Sequence, residues 1–236
     1  MNLDGYALPV KKLKGTEPVE SLDLSNKLLG VASAIVIASL IGVNGALTVA
    51  NLLCNELDAE SAEMLAEVAK QKGISLCGIQ RDQTTADFSN QDLKPRDAIL
   101  LASDLSQAVV TGALTSVDLR GNKLGDKGWG AIFVAVCGNK DSKIIAMDAS
   151  SENISPAGVK LIAEALRTSV TGGLTALDLS FNGLKDEGVS AVCEAIQSNK
   201  ETKLASLNMA NNGIEHPGAK SVAAMVAVTG ALTEVR

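Results

Sequence analysis

Aromatic residues are scarce in this chain of 236 residues. It has one Trp, one Tyr and three Phe, so 2% of its residues are aromatic, whereas 46% are hydrophobic. A core of this size must therefore be filled by Leu, Ile, Val and Ala. These side chains suit repeated thin layers better than a single bulky core. The length is sufficient for one or two ordinary domains.

Basic residues are also few: the chain has 21 Lys and Arg and 27 Asp and Glu, which gives a net charge of −6. Binding to phosphate groups requires clustered Lys and Arg. We therefore expect no nucleic-acid partner and no binding to an anionic membrane surface.

The usual signals of catalysis and metal binding are missing. The single histidine, His216, lies in a predicted loop, and no Ser-His or Cys-His pair is in register with it. Residues 121–128 lack the pattern of a phosphate-binding loop. No two of the four cysteines have the CxxC spacing of a zinc or redox site: Cys54, Cys77, Cys137 and Cys193. We expect reduced structural thiols, no enzymatic activity, no metal and no cofactor.

One uncharged stretch, residues 28–53, is long enough to resemble a membrane span. The repeat described below divides it into a helix at 31–41 and a strand, with Asn44, Gly45 and Asn51 at the break. The first ten residues lack the basic and apolar regions of a signal peptide. We therefore expect no membrane span and a cytoplasmic location.

A repeat of about 30 residues organises the chain. Units that begin at Leu114, Ile144, Leu174 and Leu204 follow the pattern L-x-x-L-x-L-x-x-N-x-L. The unit at 144 departs from it, because Ala149 and Glu152 replace Leu and Asn. The same pattern fits residues 18–29, 47–57 and 83–93, where Gln91 replaces Asn, and a last incomplete unit begins at Leu232. The longer spacing between the units at 47 and 83 predicts an insertion near 75–82.

The second half of each unit predicts a helix, because apolar residues recur at i, i+3, i+4 and i+7. The predicted helices cover 59–69, 95–105, 126–137, 156–166, 186–196 and 216–226. Glycines recur near their starts, where a side chain would push the helix away from its neighbour: Gly128, Gly158, Gly188 and Gly218. Strand, turn and helix units predict an α/β solenoid, a right-handed horseshoe of about seven repeats of 28–30 residues. A parallel sheet lines its inner side and helices its outer side.

The motif, over residues 18–236, resembles the ribonuclease-inhibitor-like class of leucine-rich repeat proteins. That class also includes intracellular immune receptors and the GTPase-activating protein for Ran. The resemblance implies a horseshoe fold and protein–protein binding, usually through the concave face. Residues 1–17, which carry Tyr6, Val10 and Leu13, are predicted to fold over the 31–41 helix as a cap, so that 18–236 form the repeat domain.

The alternation of strand residues divides each repeat into scaffold and surface. The repeated asparagines are predicted to turn inward and bind backbone groups: Asn55, Asn122, Asn182 and Asn212. The residue between the two buried leucines forms a predicted concave row: Asp23, Asn51, Asp87, Asp118, Asp148, Asp178 and Asn208. This row is either a structural feature of the pattern, or it attracts a basic peptide or a cation.

Two larger side chains lie beside the row, Arg120 and Phe181. Phe181 either covers its own loop or serves as an anchor for a partner. The predicted partner-binding residues are Asp23, Asp87, Asp118, Arg120, Asp148, Asp178 and Phe181. Trp129, on the outer side, is predicted to be partly buried against the next helix.

The function predicted from these patterns is a non-catalytic scaffold that binds a protein partner through its concave face, and the Asp row favours a basic partner. A GTPase-activating regulator using Arg81 or Arg120 is one alternative. A recognition fragment of a larger receptor is another. The incomplete last repeat and the apolar 31–41 helix are candidate surfaces for homo-oligomer formation.

Overall fold

Short parallel strands alternate with helices in the computed structural model, which describes residues 1–170 and 173–236. The strands are β1 Asn2–Leu3, β2 Tyr6–Ala7, β3 Ser21–Asp23, β4 Val49–Asn51, β5 Thr85–Asp87, β6 Ser116–Asp118, β7 Ala146–Asp148, β8 Ala176–Asp178, β9 Ser206–Asn208 and β10 Glu234–Val235. The helices are α1 Val10–Lys14, α2 Val31–Ile41, α3 Ala59–Lys72, α4 Pro95–Leu105, α5 Ala108–Thr111, α6 Gly125–Gly138, α7 Pro156–Arg167, α8 Lys185–Ser198 and α9 His216–Val228.

Strands β5 to β10 form one parallel sheet in chain order, and each pairs with the next without a shift in register. The unit at 144, despite Ala149 and Glu152, contributes a regular strand, β7. Each helix packs against the helix of the next unit, as the repeat predicts. The predicted α/β solenoid, with a parallel sheet inside and helices outside, is confirmed.

The predicted helices are all present, and α2 coincides with the predicted 31–41 segment. Glycines near the helix starts let neighbouring helices approach closely. A Cβ added at Gly188 would lie 2.5 Å from Val159 Cγ1, and one added at Gly128 would lie 2.7 Å from Ala98 Cβ. Both distances are shorter than van der Waals contact, so the close packing of these helices depends on glycine.

The apolar core runs through the whole solenoid and contains Trp129, which is fully buried. Its ring packs against Phe133, with 6.1 Å between the ring centroids. Its indole Nε1 donates to Glu152 Oε2 at 3.0 Å. The predicted partial burial of Trp129 is therefore wrong, because the carboxylate of the next unit supplies the polar partner that a buried indole needs.

The sheet is interrupted after β4. Strands β3 and β4 form a separate two-stranded parallel sheet, and residues 74–79 rather than β5 lie beside β4. Ala50 N donates to Ser75 O and Leu52 N to Leu76 O, both at 2.8 Å. We call residues 1–79 the N-terminal block, and residues 85–170 with 173–236 the C-terminal block. The predicted continuous row from Asp23 to Asn208 is wrong, because the insertion separates Asp23 and Asn51 from the rest.

Residues 1–15 pack against α2. A hairpin of β1 and β2 precedes α1, and Leu8 and Leu13 are buried. Asp4 Oδ2 accepts hydrogen bonds from Gly30 N at 2.9 Å and Ser33 N at 3.1 Å, at the start of α2. At its other end, Asn44 Nδ2 donates to Leu13 O at 2.9 Å. In the part of the chain that the structure describes, no helix has the length and apolarity needed to cross a membrane.

Candidate functional site

The aspartates of the concave row fix the turns that end the strands. In the C-terminal block, Asp87, Asp118, Asp148, Asp178 and Asn208 are aligned by the strand register. In each of them, Oδ1 accepts a hydrogen bond from the backbone N–H two residues later, at 2.8–3.1 Å. Asp23 makes the same contact with Ser25 N in the N-terminal block. One oxygen of each side chain is thus used by the fold.

Asp118, Asp148 and Asp178 line a groove, and the charge of their second oxygens is partly compensated. The guanidinium of Arg120, half exposed, lies 3.2 Å from Asp118 Oδ2 and 3.8 Å from Asp148 Oδ2. Asn208 Nδ2 donates to Asp178 Oδ2 at 2.8 Å. Burial and the neighbouring charges of Asp148 and Asp87 raise the pKa of Asp118, although Arg120 opposes this shift. One arginine therefore does not neutralise the row, and the groove stays negative.

The concave surface forms a groove of about 350 Å³ over β6 to β10. Its floor is made of small side chains, Ser116, Ala146, Ala176 and Ser206, between the aspartates. Glu234 and Arg236 also line it, and they were missed by the sequence reasoning. Glu234 aligns with Ser206, and Arg236 is thereby in register with Asn208. Extending the register two and four residues beyond Leu232 would have found Glu234 and Arg236, respectively.

Phe181 is an exposed aromatic side chain in the turn that follows β8, three residues after the groove-lining Asp178. It is 61% exposed, and its φ of +55° places it in the left-handed region. The equivalent residues of the other units share this backbone conformation: Asn26, Cys54, Asn90, Gly121, Ser151 and Asn211. A left-handed residue other than Gly or Asn costs about 1 kcal/mol. A bulky aromatic side chain therefore occupies a strained position without being covered by its own loop.

The repeated asparagines form a ladder between units. Asn122 Oδ1 accepts from Gln91 N and Leu93 N at 3.1 and 3.0 Å, and its Nδ2 donates to Phe88 O and Leu119 O at 2.9 and 2.7 Å. Asn55, Asn182 and Asn212 bind the adjacent turns in the same way. Each amide thus satisfies backbone groups of two successive units.

Glu152 occupies the ladder position of the unit at 144. Its Oε1 accepts from Asn122 N, as an asparagine oxygen would, and its Oε2 accepts from Trp129. Burial raises the pKa of this carboxyl above its usual value. Gln91, by contrast, leaves the ladder: its side chain is exposed and Nε2 donates to Asp87 O of its own unit at 3.3 Å.

The other candidate residues lie apart from the groove. Arg81 donates to Gly73 O at 3.4 Å in the inserted segment, and His216 is the exposed first residue of α9. The four cysteines are free, and all but the half-buried Cys54 are buried. Among the described residues, no group of three or more His, Cys, Asp or Glu side chains could hold a metal ion.

A comparison with protein-family models agrees with the repeated strand–helix units of the structure. A family model described as "Leucine Rich repeat" matches residues 114–133, 174–193 and 200–223. The chain is built of leucine-rich repeats. No curated protein matches its sequence.

Solved structures of low sequence identity are similar to the chain. They include the tropomodulin C-terminal domain of Caenorhabditis elegans, at 12% identity and a TM-score of 0.41, covering 81% of this chain and 91% of that one. Actin-binding site 2 of leiomodin-1 also has 12% identity and a TM-score of 0.41, covering 93% and 86%. The leucine-rich repeat protein LegL7 of Legionella pneumophila has 17% identity and a TM-score of 0.39, covering 94% and 75%.

Proposed function

We propose that this leucine-rich repeat chain is a non-catalytic scaffold that binds a protein partner through the concave groove of its C-terminal block. The observation that carries the proposal is Phe181, which is strained and 61% exposed in the turn after β8, three residues from Asp178 in the groove. Aromatic side chains, Phe among them, are enriched in protein interfaces relative to the rest of the surface. The repeat length supports the ribonuclease-inhibitor-like class, and the four free thiols support a cytoplasmic location.

The charge of the groove indicates the chemistry of the partner. Among the described residues, Arg120 pairs with Asp118 and Asp148 of this row, and Arg236, which also lines the groove, is paired with Glu234. A partner segment that presents Lys or Arg side chains would relieve the mutual repulsion of these carboxylates. An apolar side chain next to that basic segment would contact Phe181. We therefore propose a basic peptide segment as the ligand of the groove.

The contacts of residues 1–15 support a division of the chain into an N-terminal cap, residues 1–17, and a repeat domain, residues 18–236. Asp4 closes the N-terminal end of α2, and Asn44 holds the backbone of α1. The cap leaves Val31 and Ile35 of α2 exposed, at 46% and 54%. The insertion near 75–82 lies within the repeat domain.

The experiment compares capture of proteins by the tagged chain from a lysate of its source organism. The concave variant carries Asp118→Asn, Asp148→Asn and Asp178→Asn. Asparagine at Asn208 makes the same turn contact, so these changes remove charge while preserving the strand ends. We expect the captured partner to be lost from the concave variant, and its affinity for the wild-type chain to fall as salt is raised.

A matched control places the same change of charge on the outer side. The variant Glu60→Gln, Glu63→Gln and Glu67→Gln alters three exposed carboxylates of α3. It should capture the partner as the wild-type chain does. Equal capture by all three proteins, insensitive to salt, would rule out the groove as the binding site.

A further inference from the structure

The strand β10 has an open edge. On one side it pairs with β9, where Glu234 N donates to Ala205 O at 3.0 Å. Arg236 N donates to Leu207 O at the same distance. On the other side of β10, no strand lies in the part of the chain that the structure describes. Backbone groups of successive residues in a paired strand point to opposite edges, so the N–H and C=O of Val235 point to the open edge.

Helix α9 of the same unit leaves apolar side chains uncovered. Val226 is 46% exposed, whereas its equivalent in α8, Ile196, is 3% exposed. Ala219 is also exposed, although its equivalent in α7, Val159, is fully buried against Gly188 of the next helix. This end of the solenoid therefore presents a strand edge together with an apolar helix face.

The charges of β10 depart from those of the other strands in its sheet. In β5 to β9 the first residue is Thr, Ser or Ala and the third is Asp or Asn. In β10 the first described position is Glu234, and Arg236 follows two residues later. Both side chains are exposed and line the concave groove. A pair of opposite charges thus flanks Val235 on one face of the open strand.

This pattern is complementary to itself. In an antiparallel pair of two β10 strands centred on Val235, Glu234 of each copy lies opposite Arg236 of the other. The two Val235 residues exchange two N–H···O=C hydrogen bonds, because both backbone groups of each residue point to the open edge. Opposite charges directly across a strand pair are stabilising, whereas like charges are destabilising.

The two-fold symmetry that this pairing requires is compatible with the solenoid. A two-fold axis through the paired Val235 residues, directed from the concave to the convex side, makes the two strands antiparallel and continues the sheet from one copy into the other. The same axis places the two α9 helices side by side. Their exposed apolar side chains, Ala219 and Val226 among them, are then removed from water.

We propose that the open edge of β10 and the exposed face of α9 bind a second copy of the chain, so that two solenoids join end to end in a two-fold dimer. This interface is separate from the binding of a basic peptide that is proposed for the groove.

The mass of the chain in solution tests the dimer. Size-exclusion chromatography with light scattering is run at concentrations up to about 100 μM, above the micromolar dissociation constants of weak specific interfaces. We expect a mass above 24.3 kDa that approaches twice this value at the highest concentration. A mass of 24.3 kDa at every concentration would overturn the proposal, and so would growth beyond the dimer.

Charge reversal assigns the dimer to β10. Glu234→Arg places two like-charged pairs across the interface, and Arg236→Glu does the same. Each variant alone should therefore dimerise at least about tenfold more weakly than the wild-type chain. An equimolar mixture of the two variants should form a heterodimer, because their charges are complementary. The double variant Glu234→Arg with Arg236→Glu should dimerise like the wild-type chain for the same reason.

Two controls leave this interface unchanged. Asp141→Arg reverses the acidic member of another exposed ion pair, that of Lys140 with Asp141. Ile35→Ser removes an exposed apolar side chain of α2. Both should dimerise like the wild-type chain. Loss of the dimer in Ile35→Ser, with full dimerisation of the two β10 variants, would place the interface on α2 and contradict the proposal.

Hydrogen exchange of the wild-type chain does not depend on the folding of any variant. The Val235 amide is bonded in the dimer and open to water in the monomer, so its exchange should slow as the protein concentration rises. The amides of β8, inside the sheet, serve as the reference and should not respond. Exchange of Val235 that is independent of concentration, in samples whose mass shows a dimer, would contradict pairing through β10.

Discussion

The two blocks of this solenoid satisfy the backbone hydrogen-bonding groups of their strands and turns in different ways. In the C-terminal block, six strands pair in register, and the ladder of Asn122, Glu152, Asn182 and Asn212 joins successive turns. In the N-terminal block, the parallel sheet has only β3 and β4; residues 74–79 lie beside β4, and the side-chain carboxylates of Asp97 and Asp104 in α4 accept hydrogen bonds from Cys54 N and Leu76 N, respectively. Backbone pairing needs no buried charge, whereas the carboxylate bridge does.

One position near the start of each helix also differs between the first three repeat units and the later ones. Near the start of each helix, the units from β6 to β9 have Gly128, Gly158, Gly188 and Gly218, whereas the units of β3, β4 and β5 have Ser33, Ser61 and Asp97. Glycine allows close packing of neighbouring helices. At Asp97 the same position supplies the acceptor for Cys54 N. At the interruption, this position thus carries a carboxylate that reaches the turn after β4.

The largest effect is expected from Asn122→Ala in the ladder. The change leaves Gln91 N, Leu93 N, Phe88 O and Leu119 O without their side-chain partner inside the turns. Unsatisfied buried backbone groups each cost about 1–3 kcal/mol. We expect the free energy of unfolding, from urea denaturation, to fall by about 3 kcal/mol or more.

The control for this comparison is Gln91→Ala, at the unit whose side chain stays outside the ladder. Its exposed amide makes one contact, with Asp87 O. We expect a loss of less than about 0.5 kcal/mol. Similar losses for the two variants would show that the ladder does not hold the C-terminal block together.

A smaller effect is expected from Gly188→Ala. The added Cβ would lie 2.5 Å from Val159 Cγ1 and 3.2 Å from Leu184 Cβ, so α8 must move away from α7. Overpacking of this kind costs about 1–3 kcal/mol. The matched variant Gly138→Ala, at the end of α6, meets no atom within 4 Å. It should leave the thermal midpoint unchanged or raise it slightly, and destabilisation by both variants would argue against close helix packing as the cause.

Much of the fold could be predicted from the sequence, because the repeat fixes both the period and the face of each residue. Helix α2 and the strand at 144 follow it, even where Glu152 replaces Asn. The period gives no information on what fills a gap in the pattern. The insertion near 75–82 was visible as extra length, but its place beside β4 was not. In the sequence, Asp104 resembled any other polar residue of a helix. The hydrogen bond between Trp129 and Glu152 could not be predicted either, because it joins residues 23 positions apart.

The concave row was predictable within the C-terminal block for the same reason. Its interruption before Asp87 depends on hydrogen bonds of the inserted segment that no pattern of apolar residues encodes. The sequence alone did not decide whether Phe181 is exposed, because a side chain at that position can lie over its loop or away from it.

The most direct test of the central claim is one substitution, Phe181→Asn, with two measurements. Asn is the residue of equivalent units at Asn26, Asn90 and Asn211, and it tolerates the left-handed backbone. If Phe181 serves the surface and not the scaffold, the free energy of unfolding should stay unchanged or rise by about 0.5–1 kcal/mol. The affinity for the captured partner should fall at least about tenfold. A loss of stability with undiminished affinity would contradict the account.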